Sequence, residues 1–180
     1  MKITIKTLFV FAIIMLNGNA LSAAEQATLN ETKSKTIIVV RHAEKHNDGT
    51  RDPALSKKGT IRATALINVL PKLPLSQAIA SNYQRTQLTL KPIADANNIS
   101  IDIVGTADGL QEHITQIVEL VNSSDGNSIV AGHSNTVPLI ISALGGPKIT
   151  PLTESDYGDL YLLSVKVTGE VSLEKHHFGK

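Results

Sequence analysis

Two arginines and two histidines carry the chemistry this chain is equipped for. They stand in three short strings: Arg41-His42-Ala43-Glu44-Lys45, Ser81-Asn82-Tyr83-Gln84-Arg85-Thr86 and Gly132-His133-Ser134-Asn135. Each string begins where a hydrophobic, strand-like run stops. If those strands lie parallel, all three strings reach one sheet edge, the place where open α/β sheets bind ligands. Two guanidiniums there would offer forked donors matched to phosphate oxygens, and helix amino termini near Asn82 and Asn135 would add backbone N–H groups. Ser81 is read simply as a helix cap.

The elements that must position these residues follow from periodicity. Thr36 to Val40 is a β-branched run without polar alternation, as in a strand covered on both faces. Ser56 is placed to cap a helix with Ile61, Ala65, Leu66, Val69 and Leu70 on its apolar side, ended by Pro71 and Pro74. Ala78 to Ala80 is a second, short strand. A helix runs on through Leu88, Leu90, Ile93 and Ala94 to Asn97-Asn98, with Pro92 either kinking it or opening a separate turn. Ile99 to Val104 is a strand near the sheet edge, and Leu110, Ile114, Ile117, Val118 and Val121 fall at helical spacing. Ser128 to Ala131 is a further strand, Gly132 allows a tight bend, and Val137 to Leu144 is a helix ended by Gly145-Gly146-Pro147. Leu160 to Val167 and Glu170 to Glu174 form a closing hairpin. Strands alternating with helices in this way predict an α/β fold, a three-layer α/β/α sandwich with a mainly parallel sheet.

Composition narrows the partners. The 180 residues, 42% hydrophobic, suffice for one domain with a real core. A net charge of +1 and 3% aromatics give neither a general attraction to nucleic acid nor a base-stacking platform. Lys2 and Lys6 precede an apolar stretch from Leu8 to Leu16, followed by Asn17-Gly18-Asn19 and small residues at Ser22, Ala23 and Ala24. That is the pattern of a secretory signal peptide over residues 1–24, too short to be a spanning helix. Cleavage is expected after Ala23 or Ala24. The polar residues 25–35 read as a flexible lead-in, and the domain proper as residues 36–180. With no cysteine there is neither a disulfide nor a thiol for lipid attachment. A periplasmic or secreted protein without stable membrane insertion is the expectation.

Arg41-His42-Ala43-Glu44, Asp52-Pro53-Ala54-Leu55-Ser56-Lys57-Lys58-Gly59, Ser81-x-x-x-Arg85-Thr86-x-x-Thr89 and Gly132-His133-Ser134 occur in the order of the signatures of the histidine phosphatase superfamily, which the chain resembles from about Ile37 to Leu144. The resemblance implies a phosphoglycerate-mutase-like fold and a metal-independent phosphomonoesterase without cofactor. His42 would be the nucleophile, forming a phosphohistidine that water hydrolyses; Arg41, Arg85 and His133 would hold the phosphate. In this family a carboxyl directly after the second histidine, or in the segment preceding it, protonates the leaving group. Ser134 fills the first location, so Glu112, 27 residues beyond Arg85, is the expected acid, with Asp108 as the other candidate. Ala43 stands where the family usually has glycine. With the signal peptide, the Arg-His-Ala-Glu string resembles small exported members that include a lipopolysaccharide core heptose-phosphate phosphatase, which implies an envelope sugar phosphate as substrate.

Other chemistries remain. A non-catalytic phospho-ligand binder and a phosphohistidine-protein phosphatase are consistent with the same residues. Zinc held by His42, Glu44, His46 and His133 suits the donor types, but these residues follow strand ends rather than share a helix face, and their spacing is irregular for ligands. His113, His176 and His177 are read as surface or hydrogen-bonded residues, and Arg51 and Arg62 as solvated.

Overall fold

A computed structural model describes residues 34–70 and 73–179. Along them run β1 (Lys35–Arg41), α1 (Lys57–Val69), β2 (Leu75–Ser81), α2 (Gln84–Asn97), β3 (Ile101–Val104), α3 (Leu110–Ser123), β4 (Asn127–Gly132), α4 (Val137–Ala143), β5 (Asp159–Val165) and β6 (Val171–His177). The strands form one sheet in the order β3-β2-β4-β1-β5-β6. The first four are mutually parallel, and the β5–β6 hairpin joins antiparallel on β1. The expected three-layer α/β/α sandwich is therefore present. The expected signal peptide and the lead-in up to residue 33 lie outside the described residues. No helix among the described residues is long and apolar enough to cross a membrane.

β1 is central because its sequence can serve both faces. Ile37 and Val39 join a cluster with Ile114, Ile117 and Val121 of α3 and Ile140 and Ile141 of α4. Ile38 and Val40 face the other way, with Leu66 of α1 and Leu90, Ile93 and Ala94 of α2. Each such buried side chain contributes roughly 2 kcal/mol, which holds the strand in one register. β3 is the edge strand, as expected, and leaves Ile103 exposed.

α1 corrects the expected apolar stripe. Ser56 caps it, accepting from the Gly59 N–H at 3.1 Å, but its buried residues are Gly59, Arg62, Ala63 and Leu66, while Ile61 is 61% exposed. The helix is rotated by a polar anchor. Arg62, expected to be solvated, is buried; its Nε and Nη2 donate to the two Glu44 carboxylate oxygens at 2.9 and 2.8 Å, and Nη1 donates to the Phe178 and Gly179 carbonyls. A Cβ on Gly59 would overlap the Glu44 carbonyl, so only glycine lets the helix lie this close to the loop after β1. Arg62 and Lys58 hold the Glu44 carboxyl down to about 2 against the desolvation that opposes them.

α2 passes through Pro92 as one helix, without a separate turn. Pro92 forfeits only its own N–H bond. The helix ends on Asn98 in the left-handed conformation, φ 53°, whose N–H returns to the Ala94 and Asp95 carbonyls. Gly132 differs from its expected role, because its φ is ordinary; what it supplies is room, since a Cβ would stand 2.7 Å from Thr136 Oγ1.

Replacing Arg62 with Leu removes the bidentate partner of the half-buried Glu44 carboxylate and leaves it only the exposed Lys58. Arg62→Leu is expected to lower unfolding free energy on the order of 3 kcal/mol, read from urea denaturation at neutral pH. A variant within about 0.5 kcal/mol of wild type would show that the pair is a surface ornament.

Candidate active site

The parallel ladder sets Arg41 opposite Gly132, and the His42 N–H donates to the Gly132 carbonyl at 2.9 Å. The residues that follow each strand end are thereby neighbours: the His42 and His133 rings meet edge to face with centroids 5.3 Å apart. β2 ends beside them. Ser81 Oγ lies 2.9 Å from His133 Nε2 and 2.8 Å from Thr86 Oγ1, so this serine orients the second histidine rather than capping α2, whose N-cap position falls to Tyr83.

The loop after β1 is fixed from α2. The Ala43 N–H donates to Thr89 Oγ1 at 2.9 Å, and the Thr89 hydroxyl donates to the Arg85 carbonyl at 2.7 Å. Ala43 is fully buried and packs with Leu55 and Ala63. His42 Nδ1 lies 2.8 Å from the Ala43 carbonyl. A carbonyl can only accept, so Nδ1 carries the proton and Nε2 keeps its lone pair for attack.

Arg41 is buried, and its guanidinium lies 4.3 Å over the Tyr157 ring, donating to the Thr153 carbonyl and to Glu154. Arg85 lies 4.2 Å over the Tyr83 ring and 3.6 Å from Asp52. Tyr83 also meets the His133 ring edge to face. The aromatic faces and carboxylates offset the cost of holding two guanidiniums half out of water. The Nε of each arginine is buried without a hydrogen-bond partner. Buried donors left unpaired in this way are what an oxyanion would satisfy.

Arg41, His42, Asp52, Tyr83, Arg85, His133 and Glu154 line a cleft of about 850 Å³ together with Lys45, Arg51, Leu110, His113 and Ser134. Burial, with the nearby cations, lowers His42 to about 4 and His133 to about 3, so both rings are neutral at pH 7. The arrangement can bind a tetrahedral oxyanion and present a neutral imidazole nitrogen to it.

Of the residues singled out from sequence, Arg41, His42, Arg85 and His133 come together here. Glu112 and Asp108 do not line the cleft. Glu112 is exposed in the first turn of α3 and accepts from the Gln116 side-chain amide at 2.8 Å. The next residue, His113, faces inward instead; its ring is hydrogen-bonded to the Gly105 carbonyl at 2.9 Å, and it forms part of the cleft wall. The amino terminus of α2 is less open to an anion than expected, because Asp52 already accepts the Gln84 N–H at 3.0 Å. Glu44 is turned to Arg62, and among the described residues no three His, Asp or Glu side chains gather as metal ligands. Sequence reasoning missed Tyr83, Glu154 and Tyr157. Tyr83 lay inside a quoted string, whereas Glu154 and Tyr157 come from the loop after α4, which carried no signal.

The model of the histidine phosphatase superfamily (branch 1) matches residues 37–119. Among solved structures, the fold is similar to the protein histidine phosphatase SixA complexed with tungstate. The TM-score is 0.63 at 17% identity, over 79% of this chain and 96% of that one. It is also similar to a mycobacterial glucosyl-3-phosphoglycerate phosphatase, with TM-score 0.59 and 15% identity over 81% and 99% of the two chains. No curated protein matches the sequence.

The two depressed histidines couple folding to pH. Unfolded, they titrate near 6.5; folded, near 4 and 3, so between these values the unfolded chain binds more protons. Their contribution is complete above about pH 6.5 and is lost as pH falls toward 4, at up to about 1.4 kcal/mol per pH unit for each histidine. His42→Asn is expected to flatten this acid-side slope by about half of the histidine share, in urea denaturation series. A slope identical to wild type would contradict it.

Proposed function

We propose that this chain belongs to the histidine phosphatase superfamily, as the family match over residues 37–119 and the similar fold support, and is a phosphomonoesterase working through a phosphohistidine on His42. The observation that carries this reading is the pairing of a proton-bearing Nδ1 on the Ala43 carbonyl with two buried, unpartnered arginine Nε groups in the same cleft. His42 Nε2 attacks phosphorus. Arg41, Arg85 and His133 hold the equatorial oxygens, where charge accumulates as the phosphoryl group transfers. Water then attacks the phosphohistidine and regenerates the neutral ring. The chain uses no metal in this scheme. Because His42 is lowered to about 4, its neutral form persists well below neutrality, and kcat/KM should hold from pH 7 down to about 5 before falling.

The substrate we propose is a phosphorylated small molecule of the cell envelope, such as a sugar phosphate, met in the periplasm or outside the cell. Support comes from the signal-peptide pattern of residues 1–24. A second reading, hydrolysis of phosphohistidine on a protein, is favoured by the likeness to a protein histidine phosphatase. Export away from cytoplasmic phosphorelays weighs against it. A screen of sugar phosphates beside a phosphohistidine peptide separates the two.

The test is aryl-phosphate hydrolysis by the mature protein. His42→Ala is expected to abolish turnover, and Arg85→Ala to reduce it on the order of 100-fold or more. Quenching into alkali with labelled substrate should leave acid-labile label on wild type and none on His42→Ala. Undiminished turnover in His42→Ala would end the proposal.

A further inference from the structure

A leaving alkoxide needs a proton, and neither carboxyl expected to supply it lines the cleft. Among the described residues two carboxylates do, Asp52 and Glu154. Asp52 is committed. Both of its oxygens accept the Gln84 backbone N–H, its carbonyl accepts from the Gln84 side chain, and its carboxylate pairs with Arg85. It anchors the start of α2.

Glu154 is held differently. Its side chain is 81% exposed, with Oε2 3.1 Å from Arg41 Nη2 and Oε1 3.1 Å from the Ser134 hydroxyl. Arg41 immediately precedes His42, and Ser134 immediately follows His133. The two contacts therefore suspend one exposed carboxyl between the residue before His42 and the residue after His133. Ser134 stands where a carboxyl directly after the histidine would have served, and its hydroxyl holds the one delivered by the loop between α4 and β5.

We propose that Glu154 is the general acid and base of the reaction: it protonates the leaving oxygen and then deprotonates the attacking water. This rests on the phosphatase reading above. In the first step the His42 Nε2–P bond forms, the P–O bond to the alcohol breaks, and the departing oxygen takes the Glu154 proton. In the second, water attacks phosphorus, the N–P electron pair returns to Nε2, and the water proton passes to the Glu154 carboxylate. The groups facing Glu154 are Arg41 and His42 at the end of β1 and Ser134 after β4, with Lys45, Arg51 and Arg85 elsewhere in the cleft. Without ligand, Arg41 keeps Glu154 ionised. A phosphate dianion takes over the guanidinium and sets like charge beside the carboxylate, which favours proton uptake on binding.

The test reads dependence on the leaving group. Glycerol 2-phosphate releases an alkoxide that must be protonated; dinitrophenyl phosphate releases a phenolate that need not be. Glu154→Gln keeps the shape and is expected to lower kcat on glycerol 2-phosphate on the order of 100-fold or more, yet dinitrophenyl phosphate turnover less than about threefold. Equal loss on both substrates, or on neither, would overturn the inference and leave the phosphatase reading intact. So would a selective loss on glycerol 2-phosphate in Glu112→Gln or Asp52→Asn. A wild type inactive on dinitrophenyl phosphate, or an active His42→Ala, would instead remove the phosphatase reading and this inference with it.

Discussion

The register of β1 against β4 is the constraint on which the rest depends. Arg41 opposite Gly132 makes His42 and His133 neighbours, and the His42 N–H to Gly132 carbonyl bond closes the ladder one residue past the strand. Side chains alternate along a strand, so a slip of one residue would turn the core residues of β1 to the wrong faces and send Arg41 away from the cleft. The slip is blocked by packing, because Ile37 to Val40 are buried on alternate faces against different helices. Core and site are thus held by one alignment.

Around that alignment the polar residues of the motifs divide their labour. Thr89 and Ser81 tie α2 and β2 to the loops bearing His42 and His133. Glu44 faces away from the chemistry and ties the β1 loop to α1 and, through Arg62, to the carbonyls of Phe178 and Gly179. Gly59 and Gly132 allow close approach, one against the Glu44 carbonyl and the other against Thr136. Many residues of the motif strings therefore build the platform, and the proposed phosphate chemistry falls to four of them, Arg41, His42, Arg85 and His133.

What could be read from sequence followed the same division. Strand runs of β-branched residues and the heptad-like spacing of Ile114, Ile117 and Val121 report burial directly, so order and sheet type were legible. Which face α1 buries was not, because a buried Arg62 paired across 18 residues with Glu44 outweighed Ile61 in setting its rotation. The same limit applies to the site. Arg41, His42, Arg85 and His133 are legible since each follows a strand, and a strand end fixes where its next residue goes. Glu112 rests on the resemblance, through its distance beyond Arg85; it stands on the exposed polar side of α3, and the inward position one residue on, a turn of about 100°, falls to His113. Glu154 reaches the cleft, and Tyr157 the guanidinium of Arg41, from a loop whose path no periodicity encodes.

The cleft gathers Arg41, Arg85, Lys45 and Arg51 against two carboxylates, and burial keeps both histidines uncharged. A protonated His42 would add a third cation beside Arg41 and Arg85 and would remove the lone pair that the proposed reaction needs. The same desolvation thus limits charge repulsion in the cleft and keeps the His42 ring neutral, with a lone pair on Nε2. Asp52 and Glu154 offset the remaining arginine charge from opposite commitments, one locked on backbone N–H groups and the other exposed and exchangeable. In the reaction proposed, the phosphate displaces only the second. Substrate binding and the release of a carboxyl beside the reacting atoms then become one event, because both compete for the guanidinium of Arg41.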